Sequence, residues 1–445
     1  MENAIQKGFK VQALGVIIYV FVTMYLQLTI AGPDSMNILM PALIDKFNMP
    51  PGEIMGAISA VRLIGVISGI IAGALIMKMG YKKIGVPAII VAGLAVSMMG
   101  RVDSWMGIMV IQTILTIITP VLMFIQGGLI ANWFMRYKGI IFGIVTIAAP
   151  LSTATFTPIG MKIFLEVGFA DFYAGLGYFI AFWGVLGIVA MKEKPEDHGF
   201  DPDGIAFTEE EKLEVEAIRA AERNTKSTWT IPRIVRCKEF WFVALAWGLI
   251  GGLMMAGIMS QVIPILTGAG IELDTALFLM SAMALGGMPL SYVWGWLDDK
   301  IGTPKANAVF SLAYLVGAAG FAFGGPDNLY LIYIALFCIS LGVGGMPNLM
   351  PSLVAYVFGR DEFVNIYRWV NGIQVVMMSI GMTYLAVMND MTGSYSASFI
   401  TFIPLAALCG IFFLSIKKTY DPERMALEGT GKRAQGVGSY KKAES

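Results

Sequence analysis

The chain has 445 residues, 57% of them hydrophobic and 14% charged, and its 31 basic and 31 acidic residues cancel. A water-soluble chain carries about 25% charged residues, so this one has too little polar surface to face water and reads as a membrane protein. The balanced charge gives no basic footprint for nucleic acid, and one histidine (His198) with three scattered cysteines (Cys237, Cys338, Cys409) gives no zinc site, no disulfide framework and no expected cofactor or metal.

A hydrocarbon layer about 30 Å thick takes about 20 apolar helical residues to cross. Twelve such runs are predicted, at 12–43, 54–77, 84–101, 106–131, 139–164 and 172–191, then 240–267, 275–297, 306–325, 330–357, 364–389 and 396–416. The first run is too long for a cleavable signal peptide and has no A-x-A site after it. The 51 glycines suit close helix contacts of the small-xxx-small kind. The predicted architecture is an all-α polytopic membrane protein of twelve transmembrane helices. It divides into a six-helix half at 1–191, a polar linker at 192–239, a second six-helix half at 240–416 and a tail at 417–445. Within the linker, Phe207-Thr208-Glu209-Glu210-Glu211 reads as a capped helix start. If the N-terminus is cytoplasmic, 26 of the 31 basic residues fall on that side. By the positive-inside rule this predicts a multi-pass protein of the cytoplasmic membrane with both termini inside.

Two loops repeat. Gly73-Ala-Leu-Ile-Met77-Lys78-Met-Gly80-Tyr-Lys82-Lys83 joins runs 2 and 3, and Gly295-Trp-Leu-Asp298-Asp299-Lys300-Ile-Gly302-Thr-Pro-Lys305 joins runs 8 and 9. Their leading glycines, Gly73 and Gly295, stand half the chain apart. A pattern repeating at half length in a membrane protein predicts two pseudo-symmetric halves, as in alternating-access transporters. The loops resemble the signature of the major facilitator superfamily. The second copy keeps its acidic residue at Asp299, whereas the first has Met77 there. The resemblance implies that Asp299, with Gly73, Lys78, Gly80, Gly295, Lys300 and Gly302, serves gating, the aspartate helping to hold the outward-facing state by a charged contact near a helix end.

Further stretches resemble the oxalate/formate antiporter and monocarboxylate transporter families. They are Asn132-Trp133-Phe134-Met-Arg136-Tyr-Lys138-Gly139 leading into run 5, Pro195-Glu-Asp-His198-Gly199 after run 6, Phe358-Gly359-Arg360 before run 11 and Asp390-Met-Thr-Gly393-Ser-Tyr395 before run 12. Arg136 is thereby a further gating candidate. That antiporter family uses basic residues in helices 8 and 11 for dicarboxylates. Run 8 here has no basic residue before its end, and run 11 has Arg368.

Charges within the runs are the sharpest candidates, because an ionised group at mid-bilayer costs roughly 2.5–3.5 kcal/mol. Arg62 lies about nine residues, roughly 13 Å, below the outer start of run 2. Asp34 lies at a similar depth in run 1. Arg62 either holds a substrate carboxylate, with Asp34 as its resting partner or a proton site, or the two form a permanent ion pair. Arg368, near the cytoplasmic end of run 11, either binds substrate or snorkels to the interface. Tyr19, Gln112, Asn371 and Gln374 are the uncharged groups expected to complete the substrate site.

The leading functional reading is a secondary carrier of a small organic anion, a monocarboxylate or related carboxylate, working by alternating access with protons or a counter-anion. Inorganic or aromatic anion transport and drug efflux are the alternatives. An enzyme or a sensor is disfavoured by the scarcity of intramembrane acids and by the absence of an appended signalling domain. The partners expected are the anion and the bilayer. Nothing in the sequence sets an oligomeric state, and a monomer suffices.

Overall fold

The computed structural model describes residues 2–134, 138–204, 229–359 and 362–419, and all regular structure among them is helical. Eleven segments are long and apolar enough to cross a membrane. One of them, Ile140–Ala190, has 51 residues. At ~1.5 Å per residue it would measure about 76 Å if straight, over twice the thickness of the hydrocarbon layer. It is broken at Gly168 (φ 83°, ψ 173°), between the fifth and sixth predicted runs, and so makes two spans. Twelve spans result, as the sequence predicts.

Helix 1 starts as Glu2–Ala31, passes through a single 3-10 turn at Pro33–Ser35 and ends as Met36–Phe47. Pro33 is the cause, since it has no N–H to donate to the preceding turn. Helix 2 runs Pro51–Arg62 and Ile64–Met79. Its ladder tightens to three-residue bonds around Leu63, from Leu63 N to Ala60 O and from Val66 N to Leu63 O. Helix 3 is Tyr81–Met98 and helix 4 is Trp105–Trp133. Helix 5 opens with Lys138–Thr146, and the two legs of Ala148–Ala190 on either side of Gly168 complete helix 5 and form helix 6.

In the second half, helix 7 begins as Lys238–Trp247, widens into a π-helical stretch at Gly248–Met254 and continues as Met255–Gly268. It breaks at Gln261, whose φ of −135° and ψ of 18° are not helical. Helices 8 to 12 are Leu273–Ile301, Thr303–Phe323, Leu329–Phe358, Phe363–Thr392 and Ser396–Ser415. Irregular backbone at membrane depth is tolerated only where protein or a water-filled cavity supplies partners. The breaks in helices 1, 2 and 7 are therefore the places to look for a site.

The two repeated loops turn alike. Gly80 (φ 89°, ψ 164°) and Gly302 (φ 87°, ψ 148°) share a backbone conformation essentially closed to residues with a Cβ. Each closes the helix before it, through Gly80 N to Ile76 O and Gly302 N to Asp298 O.

The end of the bundle carrying these basic loops is capped in the first half by the segment after helix 6. Trp133 Nε1 donates to Lys192 O (2.8 Å) and Asn132 Nδ2 donates to Glu193 O (3.0 Å). The Glu193 carboxylate accepts from Lys82 N (2.6 Å) at the start of helix 3, where the helix dipole favours an anion. Phe200 packs edge-on against Phe9, which also rests on Trp133. The Asn132-Trp133 motif and the segment after helix 6 thus have an architectural use.

The halves meet at the opposite end. Gly52 N donates to Asp390 Oδ2 (2.6 Å), Thr383 Oγ1 to Met55 O (3.3 Å), Ser281 Oγ to Ala154 O (2.7 Å), and Asn37 bonds twice to helix 7. At the basic end Met77 is 85% exposed, and a Cβ at Gly295 or Gly302 would meet open space. The bundle is closed at the far end by these bonds, and among the described residues no hydrogen bond joins the halves at the basic end, which is the open end.

Candidate functional site

Arg62 sits where helix 2 loses its regular ladder, about three turns beyond Pro51, and Asp34 sits in the turn of helix 1, roughly three and a half turns before Phe47. At the helical rise these are depths of about 17 and 20 Å. The two are level, and deeper than the predicted boundaries put them. Asp34 is buried, with 5% of its surface exposed, and its carboxylate lies beside the Thr153 hydroxyl of helix 5. Each charge lies within the field of the other. They are nevertheless not in contact: among the described residues Arg62 has no ion pair within 4.0 Å. Its guanidinium instead crosses to the other half, where Nη1 meets the Met382 sulfur of helix 11 at 3.6 Å. A thioether is a weak acceptor, and a guanidinium carries five N–H donors. Arg62 is a half-buried cation at the junction of the halves with most of its hydrogen-bonding capacity unused among the described residues.

Gln112 belongs to the same layer. Helices 2 and 4 pack in parallel, with Gly65 against Thr116, Gly69 against Pro120 and Gly73 against Phe124, in one constant register. Continued upward, that register puts Arg62 level with Thr113, beside Gln112. Gln112 is buried and its Nε2 has no acceptor among the described residues. A buried amide left unpaired costs roughly 1–3 kcal/mol. The layer therefore presents donors without acceptors from helices 2 and 4, with a carboxylate nearby in helix 1.

Other predicted site residues lie elsewhere. Tyr19 is about 22 Å from Asp34 along helix 1. It stacks on Trp183 (centroids 5.3 Å apart, planes at 13°) and fills the space beside Gly187, which makes it packing between helices 1 and 6. Arg368 is about 21 Å from Met382 along helix 11. It is exposed, bonded to Asn365 Oδ1 (2.6 Å) and set against the Trp369 ring. This is the snorkelling arrangement at the basic end and not a second cation beside Arg62. Gln374 is buried against Gly251 in the π-helical stretch, its Nε2 unpaired among the described residues, about 12 Å from the Arg62 layer. Asn371 lies one turn nearer the open end and is half-buried. Gln374 thus faces helix 7 of the second half, and both residues lie at another level than Arg62.

Among the gating candidates, Lys78 is exposed, Gly73 touches the Phe124 ring and Lys300 lies over the Trp296 ring (4.5 Å). Arg136 lies outside the described residues, as does the predicted helix start at Phe207–Glu211. Asp299 is exposed, and it is its neighbour that contacts helix 10 within the second half. Asp298 Oδ2 accepts from Ser352 Oγ of helix 10 (2.5 Å), while its Oδ1 is buried without a partner among the described residues. Helical spacing decides this, because adjacent residues point about 100° apart and only one of the two can face helix 10. Asp298→Ala is expected to lower stability by about 1–3 kcal/mol, and Asp299→Ala by no more than about 0.5 kcal/mol. Thermal unfolding in detergent checks this, and equal losses would mean that the Asp298–Ser352 contact does not stabilise the bundle.

Sequence reasoning missed Met382, Asn37 and Gln261 as partners at this junction. Gln261 was visible only as a polar residue in an apolar run, and nothing local marks a methionine that touches an arginine 320 positions away.

Comparison with known proteins agrees with this architecture. The chain is similar to an uncharacterised MFS-type transporter of Escherichia coli (strain K12), YhjX, with 21% identity over 336 residues, 73% of this chain and 76% of the relative. Its fold is similar to the crystal structure of a mutant form of the nucleoside transporter NupG (TM-score 0.67, 11% identity, 91% of this chain and 100% of the other). It is similar also to that of a D-xylose-proton symporter (TM-score 0.66, 12% identity, 92% and 97%). The family profile of the Major Facilitator Superfamily matches residues 16–382, and so this chain, a twelve-helix polytopic membrane protein, belongs to that superfamily of transporters.

Proposed function

We propose that the chain is a secondary carrier of a small organic anion, a monocarboxylate or a closely related carboxylate, which it moves across the cytoplasmic membrane by alternating access. One observation carries this reading. Arg62, at the junction of the halves, is a charged donor whose only close partner among the described residues is a thioether. A carboxylate is the ligand that uses a guanidinium fully, through two parallel charge-assisted bonds. The unpaired amide of Gln112 at the same level supplies a further donor to the same ligand. Arg368 stands apart, so among the described residues the site holds one cation, which suits one carboxylate better than two. The Met382 thioether at this level suits a short hydrocarbon body beside the carboxylate.

Asp34, held near the cation without touching it, is positioned to share a proton with the incoming anion or to attract Arg62 when the site is empty. Coupling is thus by proton symport or by exchange for a second anion. Purified protein in liposomes decides between them. Uptake of a labelled monocarboxylate driven by an inward pH gradient indicates symport, and uptake that needs a trapped anion indicates exchange. Uptake of nitrate or of an apolar drug in place of every carboxylate tested would reject the substrate class.

The orientation proposed places the basic end in the cytoplasm, since Lys78, Lys82, Lys83, Lys192, Lys194, Lys300 and Lys305 gather there. In a background lacking the native cysteines, a cysteine at Asp197 should resist an impermeant maleimide in intact cells, and one at Glu272 should react. Labelling at Asp197 from outside would reverse the orientation.

A further inference from the structure

Helix 7 is interrupted at Gln261, and the interruption is filled from the other half of the protein. In an unbroken helix Ile263 N–H would donate to Met259 C=O, one turn back. Gln261, with φ of −135°, lies inside that turn and opens it. The Asn37 carboxamide of helix 1 serves both groups: its Nδ2 donates to Met259 O (2.8 Å), and its Oδ1 accepts from Ile263 N (3.0 Å). The second N–H of the same amide donates to Asp34 O (2.9 Å). Asn37 is 1% exposed, so these bonds are made away from water.

Gln261 is itself held open. Its Nε2 donates to Met382 O (3.1 Å) on helix 11, and its Oε1 accepts from the Tyr395 hydroxyl (3.0 Å). Tyr395 closes the Asp390-Met-Thr-Gly393-Ser-Tyr395 segment, whose first residue accepts from Gly52 N at the start of helix 2. The motif therefore braces the far end twice, once across the halves and once at the break in helix 7.

We infer that Asn37 is a positioning residue of the transport cycle, which holds the end opposite the basic loops shut by completing the broken turn of helix 7 from helix 1. When that end opens, Asn37 must withdraw. Met259 O and Ile263 N are then left unpaired at membrane depth, unless Gln261 returns to helical geometry and the turn closes on itself. Opening of this gate and straightening of helix 7 are one event. The latch adjoins the Arg62 layer on both sides: Asn37 hangs from the Asp34 turn, and Gln261 is anchored to the residue whose sulfur Arg62 touches. A ligand that draws Arg62 or Asp34 acts within one turn of it. The inference rests on the alternating-access reading and not on the identity of the substrate.

The test uses full-length protein without its native cysteines. One reporter cysteine is placed at Met55, which is fully buried at the closed end, and another, separately, at Met77, exposed at the open end. An impermeant maleimide is applied to each face of the membrane, using spheroplasts and inverted vesicles. In Asn37→Ala, labelling at position 55 is expected to rise about five- to tenfold through loss of the inter-half hydrogen bonds, while labelling at position 77 falls. Asn37→Asp, of the same size but without the amide donors, is expected to shift both rates in the same directions, and it carries the test if the alanine variant does not accumulate. A reciprocal change is what gating produces, whereas loosened packing raises both rates. Unchanged rates, a rise at both positions, or wild-type behaviour of Asn37→Asp would overturn the inference.

Discussion

Arg62→Gln is expected to leave a folded, membrane-inserted protein whose uptake of the anion falls about 100-fold or more, since each hydrogen bond to a charged group is worth roughly 1.5–3 kcal/mol and two are lost. The folded state tolerates the change because it makes little use of the charge. The one close partner of Arg62 among the described residues is the Met382 sulfur, and no carboxylate among them lies in contact with it. Removing a cation that is costly to keep in the bilayer core should leave the unfolding temperature equal to or above that of wild type. Arg62→Lys keeps the charge and loses the planar fork. Its uptake should show KM raised about tenfold, the scale of one lost charge-assisted bond, with the maximal rate reduced less. Full uptake by Arg62→Gln in liposomes would remove the arginine from the site.

The architecture was legible in the sequence because its signals are long and redundant. Twelve apolar runs, a repeated basic loop and an asymmetric distribution of lysine and arginine each point to the same bundle. The break between helices 5 and 6 was visible as the polar gap around Gly168. The level of Asp34 and Arg62 was legible for a simpler reason: two helices joined by a short turn at Asn48–Pro50 share a depth scale, and counting from the turn works.

Direction around a helix axis was not legible. Asp298 and Asp299 are equivalent to a motif, yet only Asp298 faces Ser352. Tyr19 and Gln112 are both polar residues in apolar runs. One is packed against Trp183 at a distant level, and the other lies beside the Arg62 layer. Asn37 passed unnoticed because its role depends on a helix break in the other half of the chain, at Gln261, and no local pattern records that.

The double variant Asp34→Asn with Arg62→Gln separates a structural pair from a ligand site. If the two charges exist to neutralise each other, each single variant leaves the other uncompensated and is destabilised, by about 3–5 kcal/mol for a buried pair. The double variant then regains both folding and transport. The geometry argues for the other outcome. The charges attract without touching, Asp34 lies beside Thr153, and Arg62 reaches toward the other half. The double variant is therefore expected to be as stable as wild type and inactive, with uptake no better than that of Arg62→Gln alone. Asp34→Asn alone should retain binding of the anion, because the cation remains, and should lose the response of uptake to a pH gradient if the carboxylate carries the coupled proton. Retention of that response would leave Asp34 as the electrostatic counterweight of the empty site and put the proton on the substrate itself. Wild-type uptake by the double variant would overturn the carboxylate-binding role of Arg62, because no other cation in the described bundle lies at that level to replace it.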